Sequence, residues 1–464
     1  CSIHFSLSRL SALALIASGS LLFFSSCNLK QKTAATLSGV SADLGPAPTV
    51  STISPSAWGV RGGTTVTITG THFDPTATVS LGGSNCSNVT YIDPTQVQCT
   101  VTYHGASVVD VVLTNNDGQT GTLVSGFKYN AFLYASAGGS NRIYSFVIDS
   151  GTKAVSATPQ VFLATCGYPY GVDVDATNQY VYVACYNAGT GKLLQWYTID
   201  HSNGNLTYQG QVTTNNRQLA GVAVNNTSTY AFTGVYEATG RVQAYSLNGG
   251  TGAPTFLGEW NTGSLVSLVA IDPTSRFVFT ANNGGSSVSK YVINTSPSFS
   301  LTGLQTLVTS VATNPDGICA HPSGLYVYTG SASATGYVIA FSVNQSTGDL
   351  TEIGAYPLGA SAANGSGVVT DSTGAHLYTT AYGANRVYGY TINQGNGTLS
   401  AVGNWATGGG PNDVRIQSLG NLVVTANRTG TSVTVFSRDL GTGVLSGAIT
   451  SAIGVGPDII AITY

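Results

Sequence analysis

Phe341-Ser-Val-Asn-Gln-Ser-Thr-Gly-Asp-Leu350 holds, within one short stretch, an aromatic, an Asn three positions later and a Gly-containing turn. The aromatic-x-x-Asp/Asn pair recurs along the chain as Phe146/Asp149, Tyr197/Asp200, Tyr245/Asn248, Tyr291/Asn294, Phe341/Asn344, Tyr390/Asn393 and Phe436/Asp439. Successive aromatics lie 51, 48, 46, 50, 49 and 46 residues apart. Short strands repeated with a period near fifty build a radial array of sheets, so these seven copies predict an all-β chain with a seven-bladed β-propeller. The aromatic is expected within a strand, packed between neighbouring blades. The Asp or Asn is expected where the strand turns, its short side chain bonding the turning backbone.

Around each pair the other strands can be read. Inner strands include Gly171-Val-Asp-Val-Asp175 and Gly221-Val-Ala-Val224, and second strands include Tyr180-Val-Tyr-Val183 and Phe277-Val-Phe279. The first unit starts directly at its second strand, Phe132-Leu-Tyr-Ala135, without an inner one. The chain ends on an unpaired segment, Pro457-Asp-Ile-Ile-Ala-Ile-Thr-Tyr464. This C-terminal strand is expected to fill the vacancy and close the ring, which removes free sheet edges. These repeats, spanning residues 131–464, resemble the lactonase family of seven-bladed propellers, which includes 6-phosphogluconolactonases. In those enzymes a Pro-x-His motif opens inner strands, and the resemblance implies that its His, with Arg and acidic residues, lines a central pocket. The corresponding openings here are Pro169-Tyr-Gly171, Pro315-Asp-Gly317, Pro411-Asn-Asp413 and Pro457-Asp-Ile459, and none has a His. The resemblance therefore speaks for the fold more than for the activity.

Residues 47–129 follow a different pattern. Thr65-Val-Thr-Ile-Thr69 alternates, with Val66 and Ile68 on one face and threonines on the other, and similar short strands follow at Thr78–Leu81 and Val108–Leu113. Together these predict a small β-sandwich. The motifs Ile53-Ser-Pro55, Gly62-Gly-Thr-Thr-Val-Thr-Ile-Thr-Gly70, Leu81-Gly-Gly83, Thr114-Asn-Asn-Asp-Gly118 and Gly126-Phe-Lys-Tyr129 resemble an IPT/TIG domain, which is immunoglobulin-like. That resemblance implies binding or spacing rather than catalysis.

At the N-terminus Arg9 precedes an apolar run, Leu10 to Phe24, followed by Ser25-Ser26-Cys27. The run is short and broken by Ser and Gly, which suits a signal segment over residues 1–26 better than a membrane span. Ser25-Ser26-Cys27 resembles a bacterial lipobox of the loose kind found in spirochaetal lipoproteins, with Cys27 as the lipidated residue. Residues 27–46 then read as a flexible tether. These features predict an exported protein, lipid-anchored at the outer membrane or cell surface.

Charged residues make up 8% of the chain, net charge is −3, and Lys and Arg never cluster. A nucleic-acid partner needs a basic stripe, so that class is excluded. Cys86 and Cys99 flank an expected hairpin and read as a disulfide. Cys166 precedes one strand of a blade and Cys185 ends the next, which suggests a second bridge. Cys319 is expected as a buried thiol. No C-x-x-C pair or His/Cys cluster predicts a metal site or cofactor.

His201, His321 and His376 each fall near an expected turn and read as solvated turn histidines rather than catalytic ones. Tyr170, Arg217, Asp316, Asp413 and Asp458 are expected near the channel mouth. Convergent carboxylates there suit ligand polarisation, although each Asp equally suits a turn cap. Tyr168, Tyr170 and Tyr382 are expected to offer a contact surface. The leading functional expectation is a binding or adhesion role through a propeller face, toward a protein, matrix or glycan ligand, with the sandwich as stalk. Two alternatives stand beside it: a lactone hydrolase, and a non-catalytic envelope scaffold.

Overall fold

In every blade the second strand is buried along its whole length or nearly so. Tyr180–Cys185, Phe277–Asn282, Tyr326–Ser331, His376–Ala381 and Leu422–Asn427 each show six buried residues in a row. Such strands pack on both faces, which explains their runs of Val, Ala, Phe and Tyr. Outer strands such as Leu206–Thr213 and Leu445–Ala452 alternate or stay exposed, with Thr, Gln and Ser facing water. The gradient from buried to exposed strands is what radially stacked blades require. The computed structural model describes residues 45–463, apart from 157–159, 164–165, 187–192, 214, 216, 312–313, 360–366 and 418–420. Cys27 and the expected signal segment and tether lie outside the described residues, except for positions 45 and 46.

Six blades are four-stranded antiparallel sheets of consecutive strands, starting at Pro169, Leu219, Val266, Pro315, Val368 and Pro411. The remaining blade, counted first, takes its inner strand from the C-terminus. Ile460–Ile462 pairs antiparallel with Leu133–Ala135, so the ring closes as the sequence predicts. Backbone bonds extend the pairing on both sides, from Ser136 N to Ile459 O at 3.0 Å and from Thr463 N to Phe132 O at 2.9 Å.

The repeated aromatics are all buried, from Phe146 to Phe436. In the six blades after the first, a β-bulge between third and fourth strands falls at or beside this residue, as at Trp196/Tyr197 and Ala340/Phe341. A bulge re-aims side chains and sharpens twist, here next to the ring that must wedge between blades. The paired Asp or Asn caps its turn in most units. Asp149 accepts amides of Gly151 and Thr152, Asn344 those of Ser346 and Thr347, and Asp439 those of Gly441 and Thr442. Asn294 differs: its amide donates across the hairpin to Thr302 Oγ1 at 2.8 Å.

Neighbouring blades are joined by a second repeated device. The hydroxyl of a second-strand Tyr donates to the carbonyl of a turn glycine in the next blade: Tyr134 to Gly204, Tyr182 to Gly252, Tyr328 to Gly397 and Tyr378 to Gly443. These glycines have φ between +67° and +78°, and a Cβ there would strike the aromatic that opens the neighbouring second strand. At Gly252 it would lie 2.5 Å from the Tyr180 ring. Glycine is thus required for both dihedral and space.

The sandwich packs Val66, Ile68, Val97 and Cys99 against Val79, Leu81, Val111, Leu113 and Phe127. Its last strand does not stop at the expected boundary near residue 130. Thr120–Ala137 runs unbroken, pairing with Ser107–Thr114 in the sandwich and with Arg142–Ile148 and Ile460–Ile462 in the first blade. The two domains share a strand because Tyr129-Asn-Ala-Phe-Leu133 contains no Gly or Pro to break extended backbone, and its Asn130 is held in the ladder opposite Gly59. Further contacts hold the sandwich against one face of the ring: Gly59 N to His201 O at 2.9 Å, Asn421 Nδ2 to Ala106 O at 3.3 Å, and Lys128 to Asp149 at 3.0 Å.

Candidate functional site

Inner strands begin, and second strands end, on the face of the ring away from the sandwich. In five blades one backbone bond fixes the register: the first residue after the second strand donates to the residue before the inner strand. The pairs are Tyr186 to Tyr168, Tyr236 to Gln218, Asn283 to Leu265, Ala332 to Asn314 and Arg428 to Gly410. Among the described residues, six blades deliver the residue just after the second strand to the channel mouth, and six deliver the residue at the opening of the inner strand. The first series reads Tyr186, Tyr236, Asn283, Ala332, Tyr382, Arg428. The second reads Tyr170, Ala220, Ser267, Asp316, Asn412, Asp458.

Six of these positions, Tyr170, Tyr186, Ala220, Tyr236, Ser267 and Asp316, together with Tyr168, line a pocket of about 220 Å³. Tyr168 and Tyr170 lie nearly parallel with centroids 6.5 Å apart. Tyr186 meets Tyr168 at 59° and 5.7 Å, and Tyr236 at 63° and 5.7 Å. Asn283 Nδ2 approaches Asp316 Oδ1 at 3.4 Å. Burial and the Asp316 carboxylate push the Tyr170 phenol well up, with Asp458 adding to the effect, and Tyr236 is raised by burial and Asp316. Both phenols therefore stay protonated and face a negative field.

The other expected mouth residues are differently employed. Asp458 lies buried at the rim, paired with Arg428 at 3.0 Å and accepting the Gly138 amide at 2.9 Å. Burial raises its carboxyl above the usual range. Arg428 also donates to the Tyr168 hydroxyl at 3.2 Å. Asp413 sits one residue deeper than the mouth, fully buried, bonded to Arg415 at 2.8 Å and to the Ile460 amide at 3.1 Å. Arg217 does not line the pocket. It pairs with Glu259 at 3.0 Å and Glu237 at 3.2 Å, joined by Arg241, so its charge is absorbed in a cluster on the third blade.

His321 and His376 correct the expectation of solvated turn histidines, because both are buried. His321 takes the place that Asp175, Asn225 and Asp371 hold in other blades, and its Nδ1 accepts the Ser323 amide at 3.1 Å as those carboxylates and amides accept theirs. His376 stands where Tyr180 and Tyr326 stand, against the turn glycine of the next blade, and bonds Asp371 at 3.0 Å. Cys319 is a free thiol pushed up to about 12 by burial. Cys86–Cys99 and Cys166–Cys185 are bonded, with Cα atoms 5.8 and 6.0 Å apart. Among the described residues no three of His, Cys, Asp and Glu gather as a metal would need.

Tyr186, Tyr236 and Arg428 were not singled out from the sequence, yet each is the first residue after a second strand. That register position is the signal that finds them. Deeper in the channel, Asp173 was also missed. Burial pushes its carboxyl up to about 6 while it accepts the Val224 amide at 2.8 Å, and with Arg415 it borders a separate cavity of about 230 Å³ at the sandwich-side end.

The model of the seven-bladed β-propeller lactonase family matches residues 129–459. The chain belongs to this lactonase family. The IPT/TIG model matches residues 48–129, the sandwich. No curated protein matches the sequence significantly. Among solved structures, the lactonase-family chain is similar to the periplasmic gluconolactonase of Pseudomonas aeruginosa, with TM-score 0.62, 18% identity, and coverage of 72% of this chain and 99% of that one. A candidate 6-phosphogluconolactonase from Bacteroides uniformis gives TM-score 0.62 and 19% identity, over 72% and 99% of the two chains. At such identities the agreement is one of fold. Within this lactonase-family propeller, the described mouth residues include tyrosines, the Asp316 carboxylate and the Arg428–Asp458 pair where the family resemblance implied histidines.

Proposed function

We propose that the propeller is a binding module that takes a small molecule at its tyrosine-lined mouth, the sandwich acting as stalk. The observation that carries this reading is the pocket bounded by Tyr168, Tyr170, Tyr186, Tyr236 and Asp316 on the face opposite the sandwich. Its volume lies below the roughly 300–1,000 Å³ of drug-sized sites, which suits a small or partly inserted ligand. A thermal-shift and calorimetric ligand screen on the protein tests it. A hit that is lost in Tyr186→Ala supports the reading, and hits that survive that change place binding elsewhere.

Lactone hydrolysis at the same mouth is a second reading, favoured by family membership and by Asp316 beside Tyr170. In that reading Asp316 would accept the proton of an attacking water, and the Tyr170 hydroxyl would donate to the carbonyl oxygen. Turnover of glucono-δ-lactone above background, abolished by Asp316→Asn, would establish it. Export and anchoring through Cys27 also belong to the proposal, supported by the Leu10–Phe24 run and Ser25-Ser26-Cys27. Cys27→Ser should move the protein from the detergent phase to the soluble fraction, and an unchanged partition would remove the anchor.

A further inference from the structure

We infer that Asn248 is a site of self-modification: its side chain cyclises onto the Gly249 nitrogen with loss of the amide, and the joint between the second and third blades loosens. Of the seven repeated Asp/Asn positions four are Asn, and only Asn248 is followed by Gly. Asn294, Asn344 and Asn393 precede Thr, Gln and Gln. A residue without a Cβ leaves its nitrogen open to approach and lets the backbone bend into the ring that such a reaction needs.

Four Asn-Gly pairs fall among the described residues, at Asn203, Asn248, Asn283 and Asn396, and hydrogen bonding separates them. Gly204 N is held by Asp200 O at 2.7 Å, Gly397 N by Asn393 O at 2.8 Å and Gly284 N by Ser264 O at 3.2 Å. Gly249 N has no such bond among the described residues, and both Asn248 and Gly249 are exposed. A Cβ added at Gly249 would meet no atom beyond its chain neighbours within 4 Å, so water reaches the turn freely. Asn248 Oδ1 accepts the amides of Gly250 and Thr251, each at 3.0 Å. These bonds draw electrons from the side-chain carbonyl and steady the negative charge that it gains under attack.

In the reaction the Gly249 nitrogen bonds to the Asn248 side-chain carbon, and its proton leaves with the amide nitrogen as ammonia. Water then opens the cyclic imide. Opening on one side gives aspartate; opening on the other gives isoaspartate, whose main chain runs through the side-chain carbon and is one carbon longer. The two products treat the ring differently. Aspartate keeps the cap, since Asp149 and Asp439 bind the matching amides in their own turns. Isoaspartate displaces the turn that follows, on which two tyrosines of the second blade are docked. The Tyr180 hydroxyl donates to Gly250 O at 2.9 Å, and the Tyr182 hydroxyl to Gly252 O at 2.7 Å.

Storage of the whole protein in warm, mildly alkaline buffer, followed by peptide mapping and isoaspartyl-methyltransferase labelling, tests this. Asn248 should lose its amide ahead of Asn203, Asn283 and Asn396, and ahead of Asn344 and Asn393, with isoaspartate among the products. Gly249→Ala has open space for its methyl group and no positive φ to strain it, so it should fold normally and suppress the loss. Stored protein should melt below fresh protein, whereas stored Gly249→Ala and fresh Asn248→Asp should not. Amide loss at Asn248 no faster than at the other sites, or undiminished in Gly249→Ala, would overturn the inference. Isoaspartate at this position without a fall in melting temperature would overturn its effect on the joint between blades.

Discussion

The two faces of the propeller use the same repeat in opposite ways. On the sandwich side, the residue that follows the inner strand in the six blades after the first is Asp175, Asn225, Asp272, His321, Asp371 or Gln417, and the first five of these satisfy amides or hydroxyls of their own turn. On the mouth side, the residue that follows each second strand runs from Tyr to Asn, Ala and Arg without a common chemistry. Where the copies agree, the side chain serves the ring, and substitution there should cost stability. Where they diverge, the backbone alone holds the register, and the side chain is free to meet a ligand. His321 and His376 belong to the first class although histidine suggests chemistry, and Tyr186 belongs to the second although tyrosine suggests scaffold.

The comparison breaks first if the ring proves insensitive to its shared parts. Deleting residues 457–464 removes the inner strand of the first blade and leaves the Leu133–Ala135 edge bare. The propeller should lose its cooperative melt. Since Thr120–Ala137 runs through both domains, the sandwich transition should fall with it rather than persist alone. Calorimetry of the truncated chain checks both, and a full-length melting profile would show that the last strand does not close the ring. Next in size, Gly252→Ala forces a Cβ to 2.5 Å from the Tyr180 ring at φ +67°. Left-handed strain of about 1–2 kcal/mol and overpacking of about 1–3 kcal/mol should add to a clear loss in urea denaturation.

A third effect is pH-dependent and sits where the sandwich meets the ring. Burial, with Arg61 opposing a proton, pulls the His201 imidazole down to about 4, against weaker raising pulls from Asp200 and Asp175. Both ring nitrogens are buried without hydrogen-bond partners among the described residues. The unfolded chain binds this proton near 6.5 and the folded one only near 4, so stability is complete above that window and falls as pH drops through it. Discounted for partial exposure, the loss by pH 4 is about 1–3 kcal/mol. Asp173 works in the other direction: its carboxyl, raised to about 6, contributes stability at low pH that is lost as pH rises through 6. His201→Phe should therefore leave a protein whose stability drops clearly less between pH 6.5 and 4, the remainder coming from carboxylates held low, such as Asp149 and Asp371. An undiminished drop would assign the pH dependence to other groups.

The ring was legible because its parts repeat. Phe341 and Asn344 recur at a period that only a radial sheet array explains, and the orphan Ile459-Ile-Ala-Ile462 has a single vacancy to fill. The shared strand was not legible, because the end of a domain carries a clear signal only when a turn marks it, and Lys128-Tyr-Asn-Ala131 offers a lone Asn with no Gly or Pro beside it. The site was half legible. Tyr168, Tyr170 and Asp316 stand at strand openings that Pro marks in sequence, whereas Tyr186 and Tyr236 look like strand tyrosines until the register of the second strand is known. Arg217 shows the opposite failure. Its neighbours in sequence place it near the mouth, but Glu237 and Glu259, two of the few acidic side chains in the chain, lie closer in space and take its charge.

The smallest expected effect on stability is the one that would sharpen the comparison most. Tyr186 and Tyr236 follow their second strands, and their backbone bonds to Tyr168 and Gln218 do not involve the side chain. Among the described residues neither hydroxyl bonds a neighbouring-blade carbonyl in the way of Tyr182 or Tyr328. Truncating either ring therefore removes ring–ring contacts at a half-open surface, worth about 0.5–1.5 kcal/mol per pair, and leaves every sheet hydrogen bond intact. Tyr236→Ala should lower the unfolding free energy by no more than about 1–2 kcal/mol, whereas Tyr182→Phe, a far smaller change, should cost about 1–3 kcal/mol by orphaning the buried Gly252 carbonyl. Parallel melts of the two variants measure this directly. If Tyr236→Ala proved the more damaging of the two, the mouth tyrosines would be scaffold, and the division between ring-building and ligand-facing positions would fall.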